Sequence, residues 1–218
     1  MISLIHPSRG RAEMALNAYN YWMQRKGATE VEHILSIDHD DPQKEDYKRL
    51  FPNSTIIVAS NNNCVEATNR AAAISEGDVL VYLSDDFDCP DKWDELILKH
   101  APEKSEWCLW VDDTNQGKNT VLTIPIMSRG LYNSLGYLYN PLYESMWVDV
   151  DLWMVCKKRG VLVDLVDVLR FEHKHYSVGK SEYDATYQAH DNKQRHATGA
   201  AIYKRRQAQG FMTKGVIR

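Results

Sequence analysis

The run Val79-Leu80-Val81-Tyr82-Leu83 is apolar or aromatic at every position and stops abruptly at Ser84-Asp85-Asp86-Phe87-Asp88. A strand of that composition has no polar face to offer solvent, so it belongs in the middle of a sheet covered on both sides. Sheets of that kind occur in α/β architectures, whose ligands gather beyond the carboxyl ends of the strands. In this chain that end carries three carboxylates within four residues.

The surrounding sequence repeats the pattern. Ile2–Ile5 reads as a strand ending in His6-Pro7-Ser8-Arg9-Gly10, and Ala12–Lys26 as a helix with Met14, Ala15, Ala18, Tyr19 and Trp22 at core spacing, stopped by Gly27. Strands at His33–Ile37 and Thr55–Ala59 run into Asp38-His39-Asp40-Asp41-Pro42 and Asn61-Asn62-Asn63, and a helix spans Val65–Ser75. Further strands are expected at Trp107–Val111 and Leu122–Met127, around an exposed turn at Asp113–Asn119. A helix is expected at Val148–Arg159, closed by Gly160, followed by short strands at Val161–Val163 and Val168–Phe171.

From Tyr176 the apolar periodicity fades, which predicts a mobile loop and then a terminal helix. The fold class is therefore α/β, a mixed central sheet flanked by helices. The division expected is a core of residues 1–176 and a lid loop with a basic C-terminal segment, 177–218, packed on it.

With 218 residues, 44% hydrophobic and 26% charged, the chain suits one domain with a full core and excludes disordered, collagen-like and coiled-coil classes. It has no stretch of about 20 apolar residues, so no membrane anchor is expected. Cys64, Cys89, Cys108 and Cys156 are scattered singly, as reduced thiols of a cytoplasmic protein would be. Net charge is uneven: residues 1–169 hold 16 Lys/Arg against 26 Asp/Glu, whereas 170–218 hold 10 against 4. A basic end of this kind suits an anionic partner or a solvated tail.

Carboxylates two apart at a strand end, Asp86 and Asp88, can share a divalent cation, and hard oxygen ligands favour Mg²⁺ or Mn²⁺ beside a diphosphate; the same residues also suit a solvated turn. His173 and His175 follow a predicted strand, and either imidazole can add a nitrogen ligand or bridge backbone groups in the turn. Asp149 and Asp151 open the helix Val148–Arg159; one can act as a general base, or both can serve as helix-start caps. Pro7, Arg9 and Arg11 follow the first strand, where arginine suits phosphate. Asp38 and Asp40 can accept hydrogen bonds from a ribose or base, while Asp41 before Pro42 reads as a turn residue. No GxGxxG, GxSxG or HExxH motif occurs, and Gly179-Lys180-Ser181 lacks the first glycine of a P-loop.

Taken in order, these motifs resemble a GT-A-type glycosyltransferase of the family 2 group, particularly its small, soluble, phage-associated members. The resemblance spans residues 1–176. It rests on Ile5–Arg11, on Ile37–Pro42, and on Asn69 ahead of Glu76-Gly77-Asp78-Val79-Leu80. It also rests on the DxD Asp86-Phe87-Asp88 with Trp93-Asp94 after it, on Val148-Asp149-Val150-Asp151-Leu152, and on His173.

What the resemblance implies is a metal-dependent, inverting transfer of a sugar from a nucleoside-diphosphate sugar to an acceptor hydroxyl. Pro7, Arg9, Arg11, Asp38, Asp40, Asn69, Asp86 and Lys180 would contact the donor, Lys180 from a lid over Tyr176–Lys193, and Asp86, Asp88 and His173 would hold Mn²⁺ or Mg²⁺. Val148 stands where the later motif often has an acidic residue, so the role of base falls to Asp149. The acceptor expected is a saccharide, a protein or a modified base in DNA, the last suggested by the phage-like pattern with the basic C-terminal segment, whose Lys204, Arg205, Arg206 and Lys214 would contact phosphates. The cytoplasm of a host cell would be the location of a phage-encoded member. A nucleotidyltransferase and a non-catalytic nucleotide-sugar-binding module are the competing readings.

Overall fold

The computed structural model describes residues 1–115 and 121–211. Four strands, β1 (Ile2–Pro7), β2 (Val31–Asp38), β3 (Thr55–Ala59) and β4 (Val79–Tyr82), are joined through α1 (Ala12–Arg25), α2 (Lys44–Leu50) and α3 (Cys64–Ile74). After them come β5 (Phe87–Asp88), α4 (Trp93–His100), β6 (Cys108–Trp110), β7 (Ile126–Ser128) and α5 (Arg129–Leu135). The chain continues through α6 (Val148–Arg159), β8 (Leu162–Asp164), β9 (Glu172–His173), a 3₁₀ turn (Tyr176–Val178), α7 (Ala185–His190) and α8 (Lys193–Ala208).

Seven strands form one sheet in the order β3-β2-β1-β4-β7-β6-β8. The first four are mutually parallel, so β1, β2, β3 and β4 deliver their carboxyl ends to the same edge. β7 runs antiparallel to both β4 and β6, which makes the sheet mixed. β4 is its middle strand, as the composition of Val79–Leu83 requires.

Alternation along β1 and β4 feeds two cores. Ile5 and Leu80 join the cluster under α3 and α6, while Ile2, Leu4, Val79 and Val81 join the cluster around Trp22, Trp93 and Phe171. The two indoles also tie the second core to the site. Trp22 Nε1 donates to Phe87 O at 2.8 Å, fixing the residues after β4, and Trp93 Nε1 donates to Trp22 O at 2.8 Å. Asp94, fully buried, accepts from Gly27 N and Thr29 N and so closes the turn after α1.

Several elements differ from the sequence reading. The strand expected at Leu122–Met127 is confined to Ile126–Ser128, because Pro125 has no N–H to give a ladder and the residues before it cross irregularly. Val168–Phe171 is not a strand: Leu169 N bonds back to Leu165 O in a turn, Val168 is 61% exposed, and only Arg170 forms an isolated bridge, with Asp112. The strand there is β9. The segment expected as a loop holds the 3₁₀ turn and α7, capped by Asp184. Residues 116–119 of the exposed turn, and Lys214, lie outside the described residues.

The terminal helix α8 packs closely on the chain leading into α6. A Cβ at Gly199 would lie 2.3 Å from Met146 O, so only glycine permits this approach. Arg206 of α8 is buried and bonds Asp151 of α6 through Nε at 2.5 Å and Nη2 at 3.2 Å. The expected role of Arg206 in binding an outside phosphate is thereby corrected, since its guanidinium faces inward.

Candidate active site

Beyond the carboxyl ends of the parallel strands lies a cleft of about 990 Å³. Its floor is made by the loops after β1, β2, β3 and β4, one wall by the start of α6, and its roof by α7 and the first turn of α8.

At its centre is Asp86, 4% exposed. Phe87 N bonds Ser84 O, so a turn separates β4 from β5, and the pairing of Phe87 with His173 in β9 then brings His173 Nε2 to 3.0 Å from Asp86 Oδ2. Tyr187 of α7 donates to the same oxygen at 2.5 Å. Burial alone would raise the Asp86 pKa, but the bonds from His173 and Tyr187 outweigh it and hold the carboxyl well below the usual range. Its other oxygen, Oδ1, is buried and makes no hydrogen bond.

Asp88 does not join this group. The turn at Ser84–Phe87 breaks the two-residue alternation on which the pairing of Asp86 with Asp88 depended, and Asp88 instead meets Lys174 Nζ at 2.5 Å. Among the described residues no set of three His, Cys, Asp or Glu side chains is arranged to hold a metal ion. Asp86 and His173 are the two brought together. Asp86 lines the cleft and keeps one carboxylate oxygen without a hydrogen bond, which with His173 fits Mg²⁺ or Mn²⁺ of the kind held by one or two protein ligands and completed by substrate phosphates and water.

Asp85 anchors the floor of the cleft. Its Oδ1 lies 2.9 Å from His6 Nε2 and its Oδ2 accepts from Ser8 at 3.0 Å. His6 Nδ1 lies 3.0 Å from His33 Nε2, and His33 Nδ1 lies 2.6 Å from Ser54 Oγ. Asp85, His6, His33 and Ser54 thus form one hydrogen-bonded chain that runs from the cleft floor to the far side of β2. Burial, reinforced by His6, pushes the His33 pKa well below that of a free imidazole. Neither histidine was singled out for a role in the sequence, where His6 reads as the start of the turn after the first strand and His33 as the first residue of the second.

The nucleotide-side candidates are brought together. Pro7, Arg9, Arg11, Asp38 and Asp40 all line the cleft. Arg9 Nη1 bonds Asp38 at 2.5 Å and Asp40 at 2.7 Å. Arg11 makes a two-pronged contact with Asp184, at 2.7 and 2.6 Å, and stacks over the Tyr187 ring at 4.3 Å. Thr186 Oγ1 donates to Arg9 O, so α7 is fastened to the loop after β1 as well as to Asp86. Asp41 caps the turn, accepting from Gly10 N and Gln43 N.

Asn69 and Lys180 stand elsewhere. The Asn69 side chain accepts from Leu138 N and Tyr139 N and donates to Tyr139 O, clamping a loop behind the cleft. Lys180 pairs with Glu172 at 2.8 Å on the outside.

The two acidic residues of α6 have separate environments. Asp149 lines the cleft, accepts from Val150 N at 2.9 Å, and has its pKa raised, chiefly by burial, with Asp113 adding to it. Asp151, two residues on and on the opposite side of the helix, is fully buried against Arg206 and Tyr143. Trp147 at the head of α6 takes φ 74°, a left-handed conformation costly for an indole side chain. His175 also lines the cleft, with its ring against Tyr187 and its pKa lowered by burial and by His173.

No family model matches the sequence, and no curated protein does. Solved structures do. The chain is similar to S. aureus TarS residues 1–349 at 13% identity and TM-score 0.62, covering 96% of this chain and 74% of that one. Against the same TarS fragment in complex with UDP-GlcNAc the identity is 14% and the TM-score 0.62, over 78% of this chain and 57% of that one. Against a further TarS structure the values are 14% and 0.61, over 79% of this chain, which spans only 36% of that one. The fold is thus GT-A, Rossmann-like: an α/β domain with a mixed seven-stranded sheet flanked by helices. No helix of the described residues is long and apolar enough to cross a membrane.

Proposed function

We propose that this chain transfers a glycosyl group from a nucleoside-diphosphate sugar to an acceptor hydroxyl, with inversion at the anomeric carbon. The observation that carries this reading is Asp86, a buried carboxylate with one oxygen unpaired, facing a cleft at the carboxyl edge of the sheet with His173 beside it. The UDP and UDP-GlcNAc complexes of TarS make those two compounds the first to try.

In this reading Arg9, Asp38 and Asp40 hold the nucleoside, the two carboxylates accepting from ribose or base and the guanidinium keeping them in place. Arg11 turns from Asp184 to the diphosphate, exchanging one anion for another. A divalent cation at Asp86 and His173, Mn²⁺ or Mg²⁺, would neutralise charge on the departing diphosphate. Asp149 takes the proton of the acceptor hydroxyl as that oxygen attacks the anomeric carbon, and the sugar–phosphate bond breaks with its electron pair leaving on the diphosphate. Burial suits Asp149 to the task, because a raised pKa makes a carboxylate a stronger base.

The acceptor we infer is a saccharide or a modified base in DNA. Lys204 and Arg205 are exposed on α8 and can meet phosphates; Arg206 cannot. The test is a panel of nucleotide sugars with Mn²⁺, read as binding and as release of nucleoside diphosphate. Turnover of one donor, lost in Asp149→Asn with binding retained, supports the transferase. Release of pyrophosphate from a nucleoside triphosphate would establish a nucleotidyltransferase instead.

A further inference from the structure

The cleft contains a cation that the donor reading leaves unused. Among the described residues three arginines line it: Arg9, Arg11 and Arg195. The first two are hydrogen-bonded to carboxylates, Arg9 to Asp38 and Asp40 and Arg11 to Asp184. Arg195 differs. Its Nη1 is buried, makes no hydrogen bond, and stands 3.6 Å from Glu144 Oε2, outside hydrogen-bond range. A buried guanidinium N–H without an acceptor is costly, and the cost is recovered when a ligand supplies one.

Arg195 is held on a fixed element. It lies in the first turn of α8, where Asn192 Oδ1 accepts its backbone N–H at 3.1 Å, and the helix is fastened further along by the Gly199 approach to Met146 and by Arg206 on Asp151. Its partner in the ion pair, Glu144, begins the stretch that leads through Ser145 and Met146 into α6 and Asp149. Arg195 therefore stands against the segment that leads into α6, next to Cys64 at the start of α3, and shares none of the carboxylates that hold Arg9 and Arg11. The Glu144 side chain is 57% exposed, so this counter-ion is weakly held and can swing into solvent.

We propose that Arg195 receives an anionic group, a phosphate or a carboxylate, that the acceptor carries close to the hydroxyl being glycosylated. The planar guanidinium fork matches either group with two parallel N–H···O bonds, which a neutral sugar cannot supply. The proposal rests on the transferase reading and narrows its acceptor to an anionic class, with Glu144 as the resident that the incoming anion displaces.

The test uses the full chain saturated with UDP and diamagnetic Mg²⁺, so that the diphosphate position is filled without broadening nearby signals, followed by nuclear magnetic resonance of the arginine side-chain N–H signals. Methyl phosphate and acetate are titrated separately. The expected result is a saturable shift of the Arg195 Nε signal and of the Glu144–Met146 amides with one of the two, which names the group. In Arg195→Gln the affinity for that anion falls at least tenfold, and in Arg195→Lys, which keeps the charge but loses the fork, it falls less. An unshifted Arg195 signal with both anions, or equal anion affinity in Arg195→Gln, overturns the proposal. Failure of UDP to bind at the outset would instead count against the transferase reading itself.

Discussion

Arg206→Met should destabilise the protein far more than the loss of a surface charge. Asp151 is fully buried and is bonded by Arg206 through two nitrogens, at 2.5 and 3.2 Å, and by Tyr143 at 3.0 Å. Removing the guanidinium leaves a carboxylate in the interior with one neutral donor in its place. Breaking a buried pair from one side costs about 3–5 kcal/mol. For a domain of this size, about 2–4 °C of melting temperature goes with each kcal/mol, so the midpoint should fall by roughly 6–20 °C.

Urea unfolding followed by tryptophan fluorescence gives the loss directly, and Asp151→Asn/Arg206→Met supplies the control. With no charge left to bury, the double variant should recover most of the stability. A loss below about 1 kcal/mol in Arg206→Met, the range of exposed pairs, would refute the reasoning and show that α8 is not held by this pair.

Three further outcomes follow from the site. Asp149→Asn should lower turnover by roughly 10²–10⁴-fold, the usual worth of a general base, with donor affinity little changed. Because burial raises the Asp149 pKa, the folded state holds its proton longer than the unfolded chain, and stability falls as pH rises from the unfolded value towards the folded one. The asparagine variant should therefore melt higher than the parent at neutral pH but not at pH 4, and equal melting at both would contradict the burial argument. Tyr187→Phe removes the hydroxyl that occupies Asp86 and should tighten Mn²⁺-dependent UDP binding, by roughly tenfold if the bond to the carboxylate is of ordinary charged strength; weaker binding would make the hydroxyl a donor contact instead. His33 titrates the other way from Asp149: its depressed pKa means the native state stays neutral while the unfolded chain takes up a proton, so stability drops as pH falls below about 6.5. His33→Gln should flatten that drop in a pH series of unfolding curves.

Much of the frame was legible because it rests on runs of one character. Val79–Leu83 announces the middle strand, and Val148–Arg159 matches α6 residue for residue. Asp86 and His173, 3.0 Å apart, were legible as a pair only through the family resemblance. Asp88 was not, because the turn at Ser84–Phe87 resets the alternation, and nothing in the local sequence distinguishes such a turn from a strand that runs on. Arg206 sits in the run Lys204-Arg205-Arg206, which reads as a solvated basic face; only the tertiary partner Asp151 turns one of the three inward. Tyr187 and Arg195 lie where the apolar periodicity has faded. The signals available there were the caps, Asp184 ahead of α7 and Asn192 ahead of α8, which mark helix starts without indicating what the helices cover.

The proposed function turns on Asp86, and the direct measurement is release of UDP from UDP-GlcNAc with Mn²⁺ by the wild-type chain and by Asp86→Asn, with binding of UDP followed in the same samples. The expected result is metal-dependent release and metal-dependent UDP binding in the wild type, both lost in the variant at a temperature where circular dichroism shows it still folded, although its unfolding midpoint is lower. Release that is equal in the two proteins, or UDP binding indifferent to both Mn²⁺ and the substitution, would contradict the assignment of Asp86 to the donor diphosphate.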